Sequence, residues 1–272
     1  MSGGMDRIRE LAGWDLDAYE YRPVAYDPCA YIDARRRVSE RPPFEVASAI
    51  VDEDLAGFRE SFSSYAARPD LHAEMEGLEW SICVVDLRCL LAFQRRLCFS
   101  SALPDMSASV QRDLDLVTLT FGPIKPVVAE LIHDETRRHL VMRSHDPNLH
   151  FRFSSDASAP ITVHAGSPFF EVAQYRGRWF LRDGYHRAYA LLRAGIFKLP
   201  AVVVQAKSIA ELGADRPWFF PEEILFSSTP PLVTDLLDDA LTIEYERPPL
   251  IRTLRVTLEE TLASSIPSGE QL

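Results

Sequence analysis

The segment Arg182–Gly195 reads RDGYHRAYALLRAG, between the strand-like run RGRWFL and the apolar run LPAVVV. Tyr185, Ala188, Tyr189 and Leu192 recur at helical spacing, so a helix is expected to open just after Asp183-Gly184 and pack one face on a sheet. Gly195 suits a left-handed C-terminal cap, and Pro200 follows where a helix cannot continue. Asp183 is a favourable N-cap, and Gly184 permits a sharp entry. On that account alone His186 and Arg187 are ordinary polar residues of a first turn. The functional account uses the same geometry. The leading amides of a helix lack partners and carry partial positive charge, so they accept an anion. An arginine in a first turn opposes the helix dipole unless an anion completes the balance, and Arg187 beside His186 fits a bound phosphate.

Charge distribution agrees. The chain has 272 residues and a formal net charge of -11. Residues 176–198 carry six basic side chains against Asp183, or +5, whereas residues 211–272 carry twelve acids and four arginines, or -8. A small anionic ligand fits this local patch better than a long polyanion, and nucleic acid is disfavoured as a partner. Cys29, Cys83, Cys89 and Cys98 have no metal-like spacing, so the thiols are expected to be buried apolar groups. The first residues, MSGGMDRIRE, lack the regions of a secretion signal, and no apolar run approaches membrane-helix length. A soluble, cytoplasmic protein with no membrane partner is expected.

Outward from the quoted segment, FFEVAQY-RG-RWFL has the form of a β-hairpin turning at Arg176-Gly177, and AVVVQ that of a buried parallel strand. WSICVVDL, DLVTLTFGP, LHFRFS and ITVHAG are read as strands. VVAELIHDETRRHLVMRS is open between a helix and a hairpin turning at Asp134, with strand favoured for its second half. DRIRELAGW and VDEDLAGFRESFSSYAA are read as helices, the latter with Leu55, Phe58, Phe62 and Tyr65 as a core stripe. Beyond Lys207 the chain is acidic and proline-punctuated, with a short helix expected at LVTDLLDDAL and exposed aromatics in PWFFPEE suited to an interface.

The order hairpin, Asp-Gly-x-His-Arg, amphipathic helix, Gly, x-Pro-x-Val-Val-Val resembles the ParB/sulfiredoxin superfamily over FFEVAQYRGRWFLRDGYHRAYALLRAGIFKLPAVVVQ. VVDLRCLLAFQRR, with Gln94–Arg96, resembles the first strand and following loop of that family more faintly. The resemblance implies an α+β fold: a ParB/sulfiredoxin-like mixed-sheet core with helices over 79–206, interrupted by a long insertion. A mainly helical N-terminal region over 1–78 and an acidic C-terminal extension over 207–272 would flank it.

It also implies a nucleotide site at the strand-to-helix turn. Gly184, Tyr185, His186, Arg187 and Arg182 would bind the phosphates of a nucleoside triphosphate, with ATP favoured and CTP as the other choice. Asp183 would hold Mg2+, and Asp183, His186 and Glu135 would form the catalytic set. Asp134 or Glu135, in IHDETRR, would supply a base that the family's first strand does not supply here, since Gln94 and arginines stand there. Arg178 is a weaker phosphate candidate. Tyr185 stands where sulfiredoxins carry their cysteine, so sulfinic-acid repair is not expected.

Three functions follow as expectations. The first is an NTP-dependent kinase or hydrolase acting on a small molecule or protein. The second is a non-catalytic nucleotide-gated regulator in which the ligand alters homo-oligomerisation. The third, a ParB-like DNA-binding or nuclease protein, is opposed by the charge and by the lack of a helix-turn-helix pattern after Gln205. His133, His139, His145 and His150, with Asp134, Glu135 and Asp146, form the densest metal-ligand cluster, though no pair has the helical spacing of a zinc motif. P-loop, Gly-x-Ser-x-Gly and Gly-x-Gly-x-x-Gly runs are missing.

Overall fold

The computed structural model describes residues 4–23, 28–51, 58–100, 116–122, 125–134, 136, 138–153, 158, 161–257 and 259–261. Along the chain run β1 (Asp6–Leu11), α1 (Pro28–Ser39), α2 (Phe58–Ala66), α3 (Pro69–Glu74), β2 (Trp80–Asp86), β3 (Leu91–Ala92), β4 (Arg96–Phe99) and α4 (Leu116–Thr120). There follow β5 (Glu130–Asp134), β6 (His139–Ser144), β7 (Leu149–Phe153), β8 (Ile161–Ala165), β9 (Glu171–Tyr175), β10 (Arg178–Asp183) and α5 (Tyr185–Arg193). The remainder is β11 (Lys198–Gln205), α6 (Ile209–Leu212), α7 (Glu222–Leu225), β12 (Thr242–Arg247) and β13 (Arg252–Thr257). The protein is α+β and forms two compact units, residues 1–124 with 167–249, and residues 125–166 with 250–272.

The first unit holds a five-stranded sheet of order β2-β11-β9-β10-β3 and a three-stranded sheet of order β12-β1-β4. The expected hairpin is β9–β10, with Arg176 and Gly177 at φ 49° and 78° in its turn. Positive φ at both central residues matches the right-handed twist of the flanking strands. β11 pairs parallel to β9 and antiparallel to β2. Its Pro200 is tolerated because pairing with β9 begins only at Val202, beyond the missing N–H. α5 ends as its sequence predicts: Gly195 has φ 76°, with Gly195 N donating to Leu192 O and Ile196 N to Leu191 O. Phe169, Phe170, Phe180 and Phe220 are fully buried in the core that the sheet shares with α5.

Several expected elements differ. Asp6–Leu11 is a strand, not a helix, and it lies between β12 and β4. Its charges mislead because the sheet buries them: Asp6, Arg9 and Glu10 are all buried. Leu116–Thr120 is a helical turn rather than a strand despite its β-branched residues. Tertiary contacts override that propensity, as Thr120 Oγ1 donates to Pro200 O at 2.7 Å and Phe170 N donates to Thr120 O at 2.9 Å. Residues 207–249 complete the first unit through β12 instead of extending from it, and Val233–Leu237 is a single 3-10 turn. Of the PWFFPEE aromatics only Trp218 is exposed; Phe220 is buried edge-on to Trp14. Of the Leu55–Tyr65 stripe, Tyr65 stacks on Phe121 at 4.5 Å, while Leu55 lies outside the described residues.

The second unit holds the sheet β13-β6-β5 and the hairpin β7–β8. The open segment from Val127 to Ser144 is thus the hairpin β5–β6. Among the described residues no helix is long and apolar enough to cross a membrane.

One face of β12-β1-β4 carries a buried ionic cluster. Glu10, wholly buried, accepts from Arg22 Nη2 at 2.6 Å, Arg96 Nη2 at 2.8 Å and the Tyr245 hydroxyl at 2.8 Å. Asp17 accepts from both arginines as well. Breaking a buried pair leaves an uncompensated charge. Glu10→Ala is therefore expected to cost about 3–5 kcal/mol of stability, read by urea unfolding; an unchanged midpoint would refute this account of the sheet.

Arg68 holds the Asp70 carboxyl below its ordinary value of 3.8, and Arg88 does the same for Asp86. A carboxyl with a lower pKa in the folded chain adds stability above its unfolded value and loses it as pH falls through the folded one. Unfolding free energy should decline as pH is lowered from about 5 toward 2, and Asp70→Asn should flatten the decline. An identical slope in wild type and variant would contradict the assignment.

Candidate functional site

The segment Asp183–Arg187 lies where β10 gives way to α5, and a β-bulge between Leu181 and Asp183 turns the chain toward the helix. Gly184, not Asp183, is the N-cap residue; its φ of 102° is left-handed, and among the described residues no side chain caps the helix there. A Cβ on Gly184 would come within 2.6 Å of the Phe170 ring, so packing and backbone both require glycine. The helical ladder begins with Ala188 N donating to Gly184 O at 2.8 Å, so the amides of residues 185–187 have no partner within the helix.

Three of the side chains expected at a phosphate are committed to the fold. The Arg187 guanidinium is buried and donates to Leu119 O at 3.0 Å, Pro168 O at 2.8 Å and Phe169 O at 2.6 Å, and to Asp183 Oδ1 at 3.2 Å. Backbone carbonyls and Asp183, not a ligand, balance its charge within the first turn. The Tyr185 hydroxyl is buried and accepts from Phe93 N at 3.0 Å and Gln94 N at 3.2 Å. Burial pushes its pKa upward, so it stays a phenol. Arg182 donates from Nη1 to Glu171 and from Nε to Glu211 O at 3.1 Å. Glu171 is buried and also accepts from Ser167 Oγ at 2.5 Å. Arg178 is similarly taken up, by Leu225 O at 2.7 Å and Ser227 O at 3.1 Å.

The pieces that match the family's first loop are internal as well. Gln94 Nε2 donates to Arg96 O at 2.6 Å, Arg95 donates to Asp15 O at 2.6 Å and Arg96 pairs with Glu10 and Asp17. Asp134 is the last residue of β5 in the second unit, and Glu135 lies outside the described residues. Among the described residues no three His, Cys, Asp or Glu side chains form a metal-holding group.

Asp183, paired with Arg187 and with a side chain 40 % exposed, and His186 also lie at the turn. His186 meets the Phe99 ring edge-on at 5.3 Å. Arg7, opposite Phe99 across β1–β4, lays its guanidinium over that ring at 4.5 Å and stays 47 % exposed. Sequence reasoning missed Arg7 and Phe99. The alternation of charged and apolar residues in Asp6–Leu11 was the available signal, and a helical reading concealed it. Chemically the group offers leading helix amides, a cation, an imidazole and a carboxylate, a set suited to a phosphorylated ligand. No family model, curated protein or solved structure matches this chain.

Arg187→Ala would remove a donor from three backbone carbonyls, those of Pro168 and Phe169 in buried bonds, and a cost of about 3–5 kcal/mol is expected from thermal or urea unfolding. Arg187→Lys should recover little of it, because an ammonium lacks the planar fork that reaches several carbonyls at once. Full stability in the lysine variant would overturn the clamp.

Proposed function

We propose that the first unit is a ParB/sulfiredoxin-like nucleotide-binding module that seats the phosphates of a nucleoside triphosphate at the opening turn of α5. One observation carries the reading: α5 starts on a left-handed glycine with no side-chain cap among the described residues, and its first intrahelical bond runs from Ala188 N to Gly184 O. Arg7 replaces Arg187 as the external cation, and His186 is the second side-chain donor. Mg2+ would lie between the phosphates and Asp183, whose exposed carboxylate offers a hard cation the oxygen ligand it prefers. ATP is the favoured ligand and CTP the other choice.

Binding is favoured over turnover because Arg182, Tyr185 and Arg187 are held by protein groups. The module is accordingly read as a cytoplasmic nucleotide-gated regulator whose ligand acts on self-association or on a small-molecule or protein partner. Phosphoryl transfer is the second reading, supported by the exposed Asp183 carboxylate beside the turn.

Calorimetric titration with ATP, CTP, GTP and UTP in Mg2+ is expected to show saturable binding of one of them. His186→Ala and Arg7→Ala should each weaken it by roughly 10- to 100-fold, the worth of a charge-assisted hydrogen bond. Failure of all four nucleotides to bind would refute the proposal. Steady phosphate release abolished by Asp183→Asn would move the assignment to the enzyme.

A further inference from the structure

Side chains of β1 alternate, so Asp6, Ile8 and Glu10 share one face of the sheet β12-β1-β4, and Arg7 and Arg9 the other. On the first face Arg96 stands opposite Glu10, Cys98 opposite Ile8 and Arg247 opposite Asp6. Arg247 is buried and reaches across β1. Its Nη2 donates to Cys98 Sγ on β4 at 3.3 Å, while Nη1 donates to Pro248 O at 2.9 Å and lies 3.5 Å from Asp6 Oδ2. Arg96 Nη2 meets Glu10 Oε1 at 2.8 Å and also Asp17, with the ring of half-buried Tyr19 at 4.0 Å from the guanidinium. Among the described residues, two buried side-chain nitrogen or oxygen atoms have no hydrogen-bond partner, Arg96 Nε and Arg247 Nε. Both belong to this face.

A buried donor is rarely left without an acceptor. Nε and Nη2 form one edge of the planar guanidinium, so the orphan N–H of Arg247 faces with its Nη2 toward Cys98, and that of Arg96 toward Glu10. Both edges turn to the strip between β4 and β1, whose floor is the buried Ile8. Charge is unbalanced there as well. The Asp17 carboxyl, raised by burial, is held below its ordinary value by Arg96 and then by Arg95, which places Arg95 in the same group. Among the described residues Arg22, Arg95, Arg96 and Arg247 thus meet the carboxylates of Asp6, Glu10 and Asp17, with one positive charge over. We propose that a small monovalent anion, of halide or carboxylate type, binds between the Nε–Nη2 edges of Arg96 and Arg247. Water would accept from the two N–H groups and leave the surplus charge, whereas an anion answers both. The site is independent of the nucleotide reading, on the face of β1 opposite Arg7.

The test replaces sodium gluconate by sodium bromide or sodium formate at constant ionic strength and follows thermal unfolding of the full chain. At least one of the small anions is expected to raise the midpoint saturably, by about 3 °C or more at tenfold its dissociation constant. A larger rise in bromide assigns the site to halides, and a larger rise in formate assigns it to carboxylates. Arg247→Lys keeps a cation beside Asp6 but lacks the Nε–Nη2 edge. Loss of a merely structural arginine would lower the midpoint equally in every salt, whereas loss of the site should erase the anion-dependent rise as well. Crystals of the wild type soaked in the stabilising anion should show it against both Nε atoms, by anomalous signal for bromide or difference density for formate. Equal midpoints in the three salts, an undiminished rise in Arg247→Lys, or a soaked crystal without the anion at the two arginines would overturn the proposal.

Discussion

The first unit is organised around one buried cation. Arg187 projects from the first turn of α5 and gathers carbonyls from α4 and from the Pro168-Phe169 segment that leads into β9. Two of these bonds, to Pro168 O and Phe169 O, are buried, where a lost partner costs on the order of 1–3 kcal/mol. Tyr185 acts from the same turn on another segment, joining the chain after β3 to the helix through two backbone amides. Together they bring the N-terminus of α5 to the ends of β3 and β10, where His186 meets Phe99 of the three-stranded sheet. Three side chains of the turn, Arg182, Tyr185 and Arg187, are spent internally.

This arrangement changes the meaning of a motif. In Asp-Gly-Tyr-His-Arg, the arginine that invites a phosphate reading is a structural member, and the tyrosine is its counterpart on the other side. Gly184 is likewise required by Phe170 and by its own φ. Three of the six basic side chains of the Arg176–Lys198 stretch are paired in place, with Glu171, Asp183 and Glu222. Arg7, on a distant strand, lies over Phe99 and pairs with Glu244 while staying 47 % exposed.

The most legible parts of the sequence were local. The β9–β10 turn, α5, its glycine stop and the buried β11 all follow from periodicity and turn chemistry within about thirty residues. Less legible were elements whose conformation is decided by remote partners. Asp6–Leu11 is charged at four of its six positions, yet it is a strand because Arg22, Arg96, Arg247 and Glu244 meet those charges from afar. Leu116–Thr120 reads as a strand until Pro200 and Phe170 claim Thr120. The direction of an arginine side chain is not encoded in spacing, so the turn was located correctly while the destinations of Arg182 and Arg187 were not. His164 escaped notice as a neighbour of His150 because a hairpin of unknown register separates them in sequence.

The pairing of β1 with β12 joins residues 6–11 to residues 242–247. During synthesis β1 must therefore wait for β12, far downstream, before its sheet can close. Glu10 can recruit Arg22 and Arg96 early, but Tyr245 follows it by 235 residues. Truncation anywhere ahead of residue 242 leaves an N-terminal edge of unpaired amides and carbonyls, so prematurely terminated chains are prone to associate rather than fold.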